Sequence, residues 1–435
     1  MSSRREICPE CDQKYNGEWC EPCSSKHFQN DFINWTSGND KIDKFIQNTQ
    51  LNPKNDLDLI EWIPYDRFKD VKQIGRGGFG TIHHARWIGG RIKGWDIENQ
   101  QWKRYCIRGE EEQDVALKTF DNLNLNNLND VLNEMTIHLK LHSDTSAYFY
   151  GITQDPETHK YMMVLYYAND GNLREYLKNN FNNINWGQKL ACLHRLSLEL
   201  SKIHKLDIVH KDFHPGNILS PDFENDLFIS DFGLSKLIEE NPNNPEKKIF
   251  GVLPYIAPEV LCGKEYTKAA DVYSFGIIVY EIVTGFPPYP DIPHDSDLAI
   301  KICNGFRPKI PFYIPKIITR MIIRCWDARI KHRPTLEELL DESWHNYKLW
   351  RIKGTEIYFQ TKKAEEFLAN QESNNPTTTK TTTLNYQTHP QAIYTSRLLD
   401  YSNLPQPKNE ENFERELGST FDSSTEDSGI IDLDF

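Results

Sequence analysis

Hydrophobic and polar positions alternate along the central part of the chain in patterns typical of both strands and helices. Apolar runs bounded by polar residues predict short strands at 115–120 and 161–167. Apolar residues spaced three and four apart predict helices at 127–141 and 190–203. This alternation runs from residue 66 to residue 345, which predicts one large globular domain.

Three other regions flank this domain. Residues 1–28 contain four cysteines, and residues 29–65 form a polar linker rich in Asn, Asp and Lys. Residues 346–435 have too few periodic apolar positions to bury a core, so we expect a mostly disordered acidic tail. Its last residues, 430–435, are either a docking motif or part of a solvated tail.

Charge and hydropathy exclude some functions. The net charge of −13 argues against a nucleic-acid binder, which needs a basic face to pair with phosphates. Apolar runs long enough to span a bilayer are absent from the sequence, and the first residues do not resemble a secretion signal. We therefore expect an intracellular, cytoplasmic protein with reduced thiols.

A glycine-rich motif, Gly-Arg-Gly-Gly-Phe-Gly, begins the domain with Gly75, Gly77 and Gly80. Glycines allow a hairpin to close over phosphates, with backbone N–H groups reaching the oxygens. A dinucleotide-binding fingerprint is similar but requires a helix directly after the last glycine. A strand-like segment follows instead, which favours a phosphate-binding hairpin.

Lys118 follows three apolar residues and lies downstream of the glycine motif. A lone lysine at a strand end is usually solvated, but this one is predicted to reach nucleotide phosphates. Such a lysine needs a carboxylate to fix its position. Glu134 on the following predicted helix is the expected partner, and Asp130 is the alternative.

Two further motifs supply acidic and amide oxygens. His-Lys-Asp-Phe-His-Pro-Gly-Asn contains Asp212 and Asn217, and Asp-Phe-Gly begins at Asp231. Magnesium prefers hard oxygen ligands, so Asn217 and Asp231 are predicted to hold Mg²⁺ beside the phosphates of ATP. Asp212 is predicted to accept the proton of an attacking hydroxyl.

Together, these motifs resemble a eukaryotic protein kinase from about residue 68 to residue 344, most closely the tyrosine-kinase-like branch. Ala-Pro-Glu at 257–259 and Arg-Pro-Thr at 333–335 extend the resemblance. It implies an α+β bilobal fold with a five-stranded N-lobe sheet plus a helix, and a mainly helical C-lobe. It also implies an ion pair between Arg333 and Glu259.

The resemblance further implies an adenine pocket, although core packing is the alternative role for its apolar residues. The residues implied are Ile74, Ile82 and Ala116 above the base, Leu219 below it, Leu165 at the back, and Tyr166 to Ala168 as the hinge.

Several positions depart from the family pattern. Lys211 replaces an arginine that holds activation-loop phosphate in many kinases, and Ser235 and Tyr255 are the only hydroxyl side chains between residues 231 and 259. We therefore hypothesise that activity does not need activation-loop phosphorylation. His214 and Val252 replace residues common in Ser/Thr kinases, and the arginine typical of tyrosine kinases is missing. We expect a Ser/Thr preference, with tyrosine or dual specificity left open.

The N-terminal cysteines form two C-x-x-C pairs, Cys8 with Cys11 and Cys20 with Cys23. Four thiolates are a preferred ligand set for structural zinc, so residues 1–28 are predicted to form a small four-cysteine zinc-type module. Disulfide or redox pairs are the alternatives.

The predicted function is transfer of the ATP γ-phosphate to a hydroxyl of protein substrates. The alternative is a pseudokinase or scaffold that binds nucleotide without efficient catalysis. Signalling partners are expected to bind the N-terminal module or the tail.

Overall fold

A computed structural model of the chain gives two compact units, Met1–Asn169 with Ser230–Gly233 and Asp170–Ile229 with Leu234–Phe435. We call them the sheet unit and the helical unit. The residues described are 6–15, 19–53, 55–77, 80–106, 109–120, 128–141, 148–237, 249–373, 387–401 and 403–419. The candidate docking motif at 430–435 and two residues of the glycine motif, Gly78 and Phe79, lie outside them. Within these ranges, no helix combines the length and apolar character needed to cross a membrane.

The sheet unit is built on a six-stranded sheet with strand order β3-β9-β10-β8-β5-β4. Its elements are β1 (Glu6–Ile7), β2 (Lys14–Tyr15), α1 (Glu21–Asp31), α2 (Asp40–Leu51), β3 (Glu61–Trp62), β4 (Phe68–Gly77), β5 (Gly80–Ile88), β6 (Arg91–Asp96), β7 (Gln101–Tyr105), β8 (Glu112–Thr119), α3 (Leu128–Leu141), β9 (Phe149–Gln154) and β10 (Tyr161–Tyr166). The sheet has one strand more than the five predicted, because β3 pairs in parallel with β9.

Both faces of β8 are covered, because alternate side chains of a strand point to opposite faces. Val115 and Leu117 pack with Trp87 in one buried cluster. Ala116, on the other face, packs against a second cluster that includes Met135 of α3 and Leu165 of β10. The strands and the helix predicted in this region are confirmed.

Residues 29–65, expected to be a polar linker, instead contain α2 and β3. Ile42 and Ile46 lie one turn apart on α2 and are buried in the same cluster as Met135 and Leu165. The polar residues between them occupy the outer face of the helix, so the average composition concealed its amphipathic pattern.

Between β5 and β8, an insertion in the chain forms a separate antiparallel hairpin of β6 and β7. Trp102 of this hairpin stacks on Phe28 of α1 with ring centroids 4.0 Å apart. His27 stacks on Trp95 at 3.9 Å. The insertion is therefore the surface on which the N-terminal module packs.

The helical unit contains most of the helices and, among its described residues, three two-stranded pairings. Its elements are α4 (Leu173–Asn180), α5 (Trp186–Lys205), β11 (Ile208–Val209), β12 (Ile218–Leu219), β13 (Phe228–Ile229), β14 (Lys236–Leu237), β15 (Ile249–Gly251), α6 (Pro258–Leu261), α7 (Lys268–Thr284), α8 (Ser296–Cys303), α9 (Lys316–Cys325), α10 (Leu336–Trp350), α11 (Glu356–Ser373), β16 (Arg397–Leu399) and α12 (Phe413–Ser419).

Local sequence explains where the main helices of this unit begin and end. Asn185 and Gln188 form a capping box at the start of α5, and Thr335 and Glu338 form another at the start of α10. The buried helix α7 ends at Gly285, whose left-handed φ of 75° is favourable only for residues such as glycine.

The expectation of a mostly disordered region at 346–435 needs correction for its described segments. Helix α11 and residues 387–401 and 403–419 are ordered on the helical unit. Ile357, Leu399 and Phe413 are buried there. These apolar residues are widely spaced, so they produce no local period, and only their packing against the folded unit makes them part of a core.

Candidate active site

Gly77, the last residue of β4, pairs with Gly80, the first residue of β5. Gly80 has a φ of 150°. A Cβ atom at this position would lie 1.9 Å from the carbonyl oxygen of Thr119, so no other residue fits without moving backbone. Gly75 is different, because a Cβ atom there would meet its nearest neighbour at 4.0 Å.

Strand register brings the predicted adenine-binding residues of the sheet unit to one face. Ile82 pairs with Lys118, and Ala116 pairs with Leu165. Paired residues of adjacent strands project to the same side, so these four side chains share a face. Ile74 lies at the β-bulge before Gly75 and is half exposed.

The remaining predicted nucleotide contacts are distributed over both units. In the sheet unit, Tyr166 ends β10 and Ala168 follows it, buried and outside any strand. In the helical unit, Leu219 pairs with Phe228 and forms a bridge to Asn172.

Lys118 lies between two carboxylates inside the sheet unit. Its Nζ is 2.5 Å from Glu134 Oε1 and 2.9 Å from Asp231 Oδ1. Burial alone would lower the pKa of the Lys118 ammonium, but Asp231 and Glu134 outweigh it and raise that pKa above its usual value. The lysine is therefore held as a cation, and Glu134 rather than Asp130 is its partner on α3.

Asp231 has the left-handed φ of 65°, an uncommon backbone conformation that is typical of functional sites. The next residue, Phe232, is fully buried. His138 of α3 packs edge-on against the Phe232 ring at 5.0 Å, as a core residue does. This packing fixes the segment that presents the Asp231 carboxylate to Lys118.

The segment containing Asp212 is held by Asp271 at the start of α7. Asp271 accepts hydrogen bonds from the backbone N–H groups of His210 and Lys211, at 2.9 and 3.2 Å. Lys211 has a φ of 70°, so the backbone turns sharply just before Asp212. Asn217 donates through Nδ2 to the Asp212 carbonyl oxygen at 2.9 Å, and its amide oxygen is the side-chain atom whose chemistry suits a metal.

Asp212 is hydrogen-bonded to a serine from the C-terminal region. Ser396 donates through Oγ to Asp212 Oδ2 at 2.5 Å. The Nε2 atom of His214 lies 3.1 Å from the same Oγ. The sequence analysis missed Ser396, because no local pattern indicates a contact over 184 residues.

The two hydroxyl side chains between residues 231 and 259, which we call the activation segment, are both buried. Ser235 donates to the His210 carbonyl oxygen at 3.0 Å. Tyr255 donates to Glu281 and accepts a hydrogen bond from Arg174 at 2.8 Å. Neither hydroxyl is available to a second kinase molecule in this conformation, which supports the hypothesis that activity does not need activation-loop phosphorylation.

The predicted ion pair of Arg333 and Glu259 is confirmed. Two parallel hydrogen bonds of 2.6 and 2.7 Å join the guanidinium to the carboxylate. Arg333 also donates to the backbone carbonyl oxygens of Asp327 and Ala269 at 2.8 and 2.9 Å. The pair connects the end of the activation segment to the segment before α10.

The N-terminal cysteines converge. The sulfur atoms of Cys8 and Cys23 are 3.7 Å apart, those of Cys11 and Cys20 are 3.5 Å apart, and all four lie within 4.8 Å of one another. A disulfide requires about 2.05 Å, whereas tetrahedral zinc with bonds of about 2.3 Å separates its sulfur ligands by about 3.8 Å. The spacing therefore fits a zinc ion and does not fit disulfides.

The sequence pattern of the family described as protein tyrosine and serine/threonine kinase matches residues 68–342, more than half of the chain. The chain belongs to this kinase family. The predicted α+β kinase fold, with a sheet-based part and a helical part, is thereby confirmed. The ion pairs formed by Lys118 and by Arg333 both lie within the matched residues.

The kinases that this chain resembles are named for different acceptor residues. A serine/threonine-protein kinase/receptor of Acanthamoeba polyphaga mimivirus is 29% identical over 71% of this chain and 17% of its own length. A tyrosine-protein kinase of Girardia tigrina is 30% identical over 62% of the chain and 52% of its length. A dual specificity protein kinase of Dictyostelium discoideum is 26% identical over 64% and 19%. The chain therefore spans from 17% to 52% of the length of these relatives.

Proposed function

We propose that this chain is an ATP- and magnesium-dependent protein kinase that phosphorylates serine or threonine. The observation that carries the proposal is the contact of the buried Lys118 with the buried Glu134 and the partly exposed Asp231, at 2.5 and 2.9 Å. Burying a cation between two carboxylates is a costly arrangement that is typical of functional sites, and a pseudokinase has no need of all three groups.

Each group has a role in phosphoryl transfer. Lys118, positioned by Glu134, binds nucleotide phosphates, while Asp231 and Asn217 supply oxygen ligands for magnesium. Asp212 orients the acceptor hydroxyl and takes its proton. No covalent intermediate is needed, because positioning and charge stabilisation supply most of the catalysis. The adenine would lie against Ile82, Ala116 and the other apolar residues of that set.

The serine/threonine preference rests on the hydroxyl that Asp212 already binds. Its partner is a serine, whose hydroxyl reaches Oδ2 at 2.5 Å. A tyrosine hydroxyl lies several ångströms farther from its own backbone than a serine hydroxyl does. A tyrosine peptide would therefore have to bind with its backbone farther from Asp212 than the backbone of Ser396 lies. The names of the related kinases do not decide between the acceptors.

The test is transfer of labelled phosphate from ATP to a mixed peptide array by the wild type and by Asp212→Asn. General-base catalysis contributes about 10²–10⁴-fold, so we expect a loss of that order with an unchanged circular dichroism spectrum. Asp207→Asn is the matched control, since Asp207 is exposed just before β11 and pairs at the surface with Lys268. Wild-type labelling no higher than that of a blank without enzyme would identify a pseudokinase or scaffold, and equal rates above this background for both proteins would refute the role of Asp212. Labelling confined to tyrosine peptides would refute the acceptor preference.

We also propose that Cys8, Cys11, Cys20 and Cys23 hold one structural zinc ion in a module of residues 1–28. Metal analysis of the purified full chain should give one zinc per chain. Cys11→Ser should reduce it below half, whereas Cys106→Ser, outside the cluster, should not. A wild-type chain that is folded, unoxidised and free of zinc would contradict the assignment.

A further inference from the structure

Residues 387–401 form one turn at 389–392, where the Ala392 N–H donates to the His389 carbonyl oxygen at 2.8 Å, and then run along the helical unit. The backbone N–H of His389 donates to the Pro290 carbonyl oxygen at 2.7 Å, and the hydroxyl of Tyr394 donates to that of Pro288 at 2.9 Å. The guanidinium of Arg174 lies over the Tyr394 ring at 4.5 Å. These contacts fix the chain immediately before Ser396.

The residues after Ser396 add a strand to the activation segment. Strand β16 pairs antiparallel with β15, with Arg397 opposite Gly251 and Leu399 opposite Ile249. Leu399 is only 3% exposed. Addition of a strand to an available edge is a common way in which proteins bind extended peptides. The segment from residue 387 to residue 401 therefore has the geometry of a bound peptide, which we call the tail peptide.

Gly251 allows this strand to lie close to the catalytic carboxylate. Its φ is 140°. A Cβ atom at Gly251 would lie 3.4 Å from Asp212 Oδ1 and 3.1 Å from Ile256 Cδ1. The absence of a side chain leaves room beside Asp212 for the residue that precedes Arg397, which is Ser396.

Hydrogen bonds orient the Ser396 hydroxyl for attack. The backbone N–H of Gly216 donates to His214 Nδ1 at 3.0 Å, so a neutral His214 ring carries its proton on Nε2. Nε2–H then donates to Ser396 Oγ at 3.1 Å, and Oγ–H donates to Asp212 Oδ2 at 2.5 Å. The serine proton therefore points at the expected base, and an oxygen lone pair remains for the phosphorus atom.

We propose that Ser396 is phosphorylated by the active site of its own chain, and that the tail peptide occupies the protein-substrate site until this happens. The proposal rests on the proposed kinase function. In the step, Ser396 Oγ forms a bond to the γ-phosphorus of Mg²⁺-bound ATP, and the bond from that phosphorus to the β,γ-bridging oxygen breaks. The hydroxyl proton passes to Asp212, and ADP leaves with the electron pair of the broken bond.

Phosphorylation removes the contact that holds Ser396 in place. The Oγ–H donor is lost, and a group with a charge of about −1.5 to −2 now lies beside the Asp212 carboxylate. Like charges at this distance repel, so the tail peptide leaves and the site becomes accessible to other proteins. The unmodified tail is thus a built-in substrate that delays phosphorylation of others.

The first experiment identifies the phosphorylated residue and tests whether the reaction occurs within a single chain. Full-length chain, treated with phosphatase and then freed of it, is incubated with Mg²⁺-ATP over a hundredfold range of chain concentration, and Ser396 phosphate is quantified by mass spectrometry. We expect the first-order rate constant, which is the fraction of chains modified per unit time, to be independent of chain concentration. Thr395→Ala is the matched control, because Thr395 is the exposed neighbour, and it should behave as the wild type. A fraction modified per unit time that rises in proportion to chain concentration, or an unmodified Ser396, would overturn the proposal.

The second experiment measures how far the tail peptide occupies the protein-substrate site. Its readout is the rate at which a separately added serine peptide is phosphorylated. Ser396→Glu places a negative charge beside Asp212 and should release the tail peptide. Ser396→Ala cannot be modified and loses the same hydrogen bond but adds no charge, so the contacts of Tyr394 and the pairing of β16 with β15 should keep the tail peptide bound. If the bound form accounts for about nine-tenths of molecules, Ser396→Glu is about tenfold faster than Ser396→Ala. Thr395→Glu adds the same charge at the exposed neighbour and should leave the rate unchanged.

The outcomes separate this proposal from the kinase function itself. Equal peptide rates for Ser396→Glu and Ser396→Ala overturn occupancy while leaving the kinase function intact. A wild type that phosphorylates the added peptide but never Ser396 overturns the modification site alone. If no acceptor of any kind is labelled, the kinase function and the inference that rests on it both fail.

Discussion

Replacing Arg333 with methionine removes the cation that pairs with Glu259, a carboxylate that is 1% exposed. Methionine matches the aliphatic length of arginine, so the change deletes charge and hydrogen bonds and leaves most of the packing volume. Removing one member of a buried ion pair costs about 3–5 kcal/mol, because the other charge stays buried without compensation. The backbone carbonyl oxygens of Asp327 and Ala269 also lose donors, at about 1 kcal/mol each.

The total expected loss is therefore about 4–6 kcal/mol in the free energy of unfolding, since such terms overlap. Urea unfolding followed by tryptophan fluorescence measures it, and with a slope of about 2 kcal/mol per molar the midpoint falls by about 2–3 M. The double variant Arg333→Met with Glu259→Gln removes both charges. It should recover more than half of the loss, because no ion remains buried alone.

Lys268→Met is the control, since Lys268 pairs with Asp207 at 2.6 Å but both side chains are solvent-exposed. Its effect should stay within about 0.5 kcal/mol. The reasoning would be refuted by an Arg333→Met variant that loses less than about 1 kcal/mol, or by a double variant that is less stable than Arg333→Met alone.

Two further predictions concern the glycine motif and a buried lysine. Gly80→Ala places a Cβ atom 1.9 Å from a backbone oxygen, so it should raise KM for ATP several-fold and lower Tm. Gly75→Ala places its Cβ atom 4.0 Å from the nearest neighbour and should change both quantities little. Enzyme assays measure KM and thermal melts measure Tm. Burial lowers the pKa of the Lys189 ammonium to about 7, so between about pH 7 and pH 10 the unfolded chain binds more protons than the folded one and the folded state gains stability as pH rises. The gain from pH 7 to pH 9 should be about 2 kcal/mol in urea unfolding, and Lys189→Met should abolish it. Lys205→Met, which replaces an exposed lysine on the same helix, is the control and should retain it.

These two predictions have clear contrary results. Equal ATP affinity and equal melting temperature for Gly80→Ala and Gly75→Ala would show that the close approach at Gly80 is not a constraint. A stability of the wild type that falls from pH 7 to pH 9, or a rise that persists in Lys189→Met, would show that the lysine is charged in the folded chain.

The sequence is most informative where chemistry depends on local spacing. It predicts that Lys118 and Glu134 pair because a strand and the next helix carry them, and the structure places their charged atoms 2.5 Å apart. It likewise predicts one cluster for the four cysteines, since two short C-x-x-C pairs close a small loop.

Features that depend on packing between distant segments are not predictable in the same way. Ile42 and Ile46 lie in a polar stretch, and their helix is stable because it covers one face of the sheet. Ser396 lies in a region with no periodic apolar pattern. Its position depends on the partners of Leu399 and Tyr394, which are contributed by residues far away along the chain.

The residues after the tail peptide attach it firmly to the helical unit. The Pro405 carbonyl oxygen accepts a hydrogen bond from Cys262 at 3.0 Å, Asn409 donates to Asp327 at 2.8 Å, and Glu414 pairs with Arg329 at 2.7 Å. Ser396 therefore stays tethered when it leaves the site, at an effective concentration of about millimolar. A protein substrate displaces such a segment only when the ratio of its concentration to its Kd exceeds the same ratio for the tethered peptide. The attachment would therefore favour substrates that bind tightly enough to compete with the tail peptide. Because the competitor belongs to the same chain, this selection would not depend on how much enzyme the cell contains.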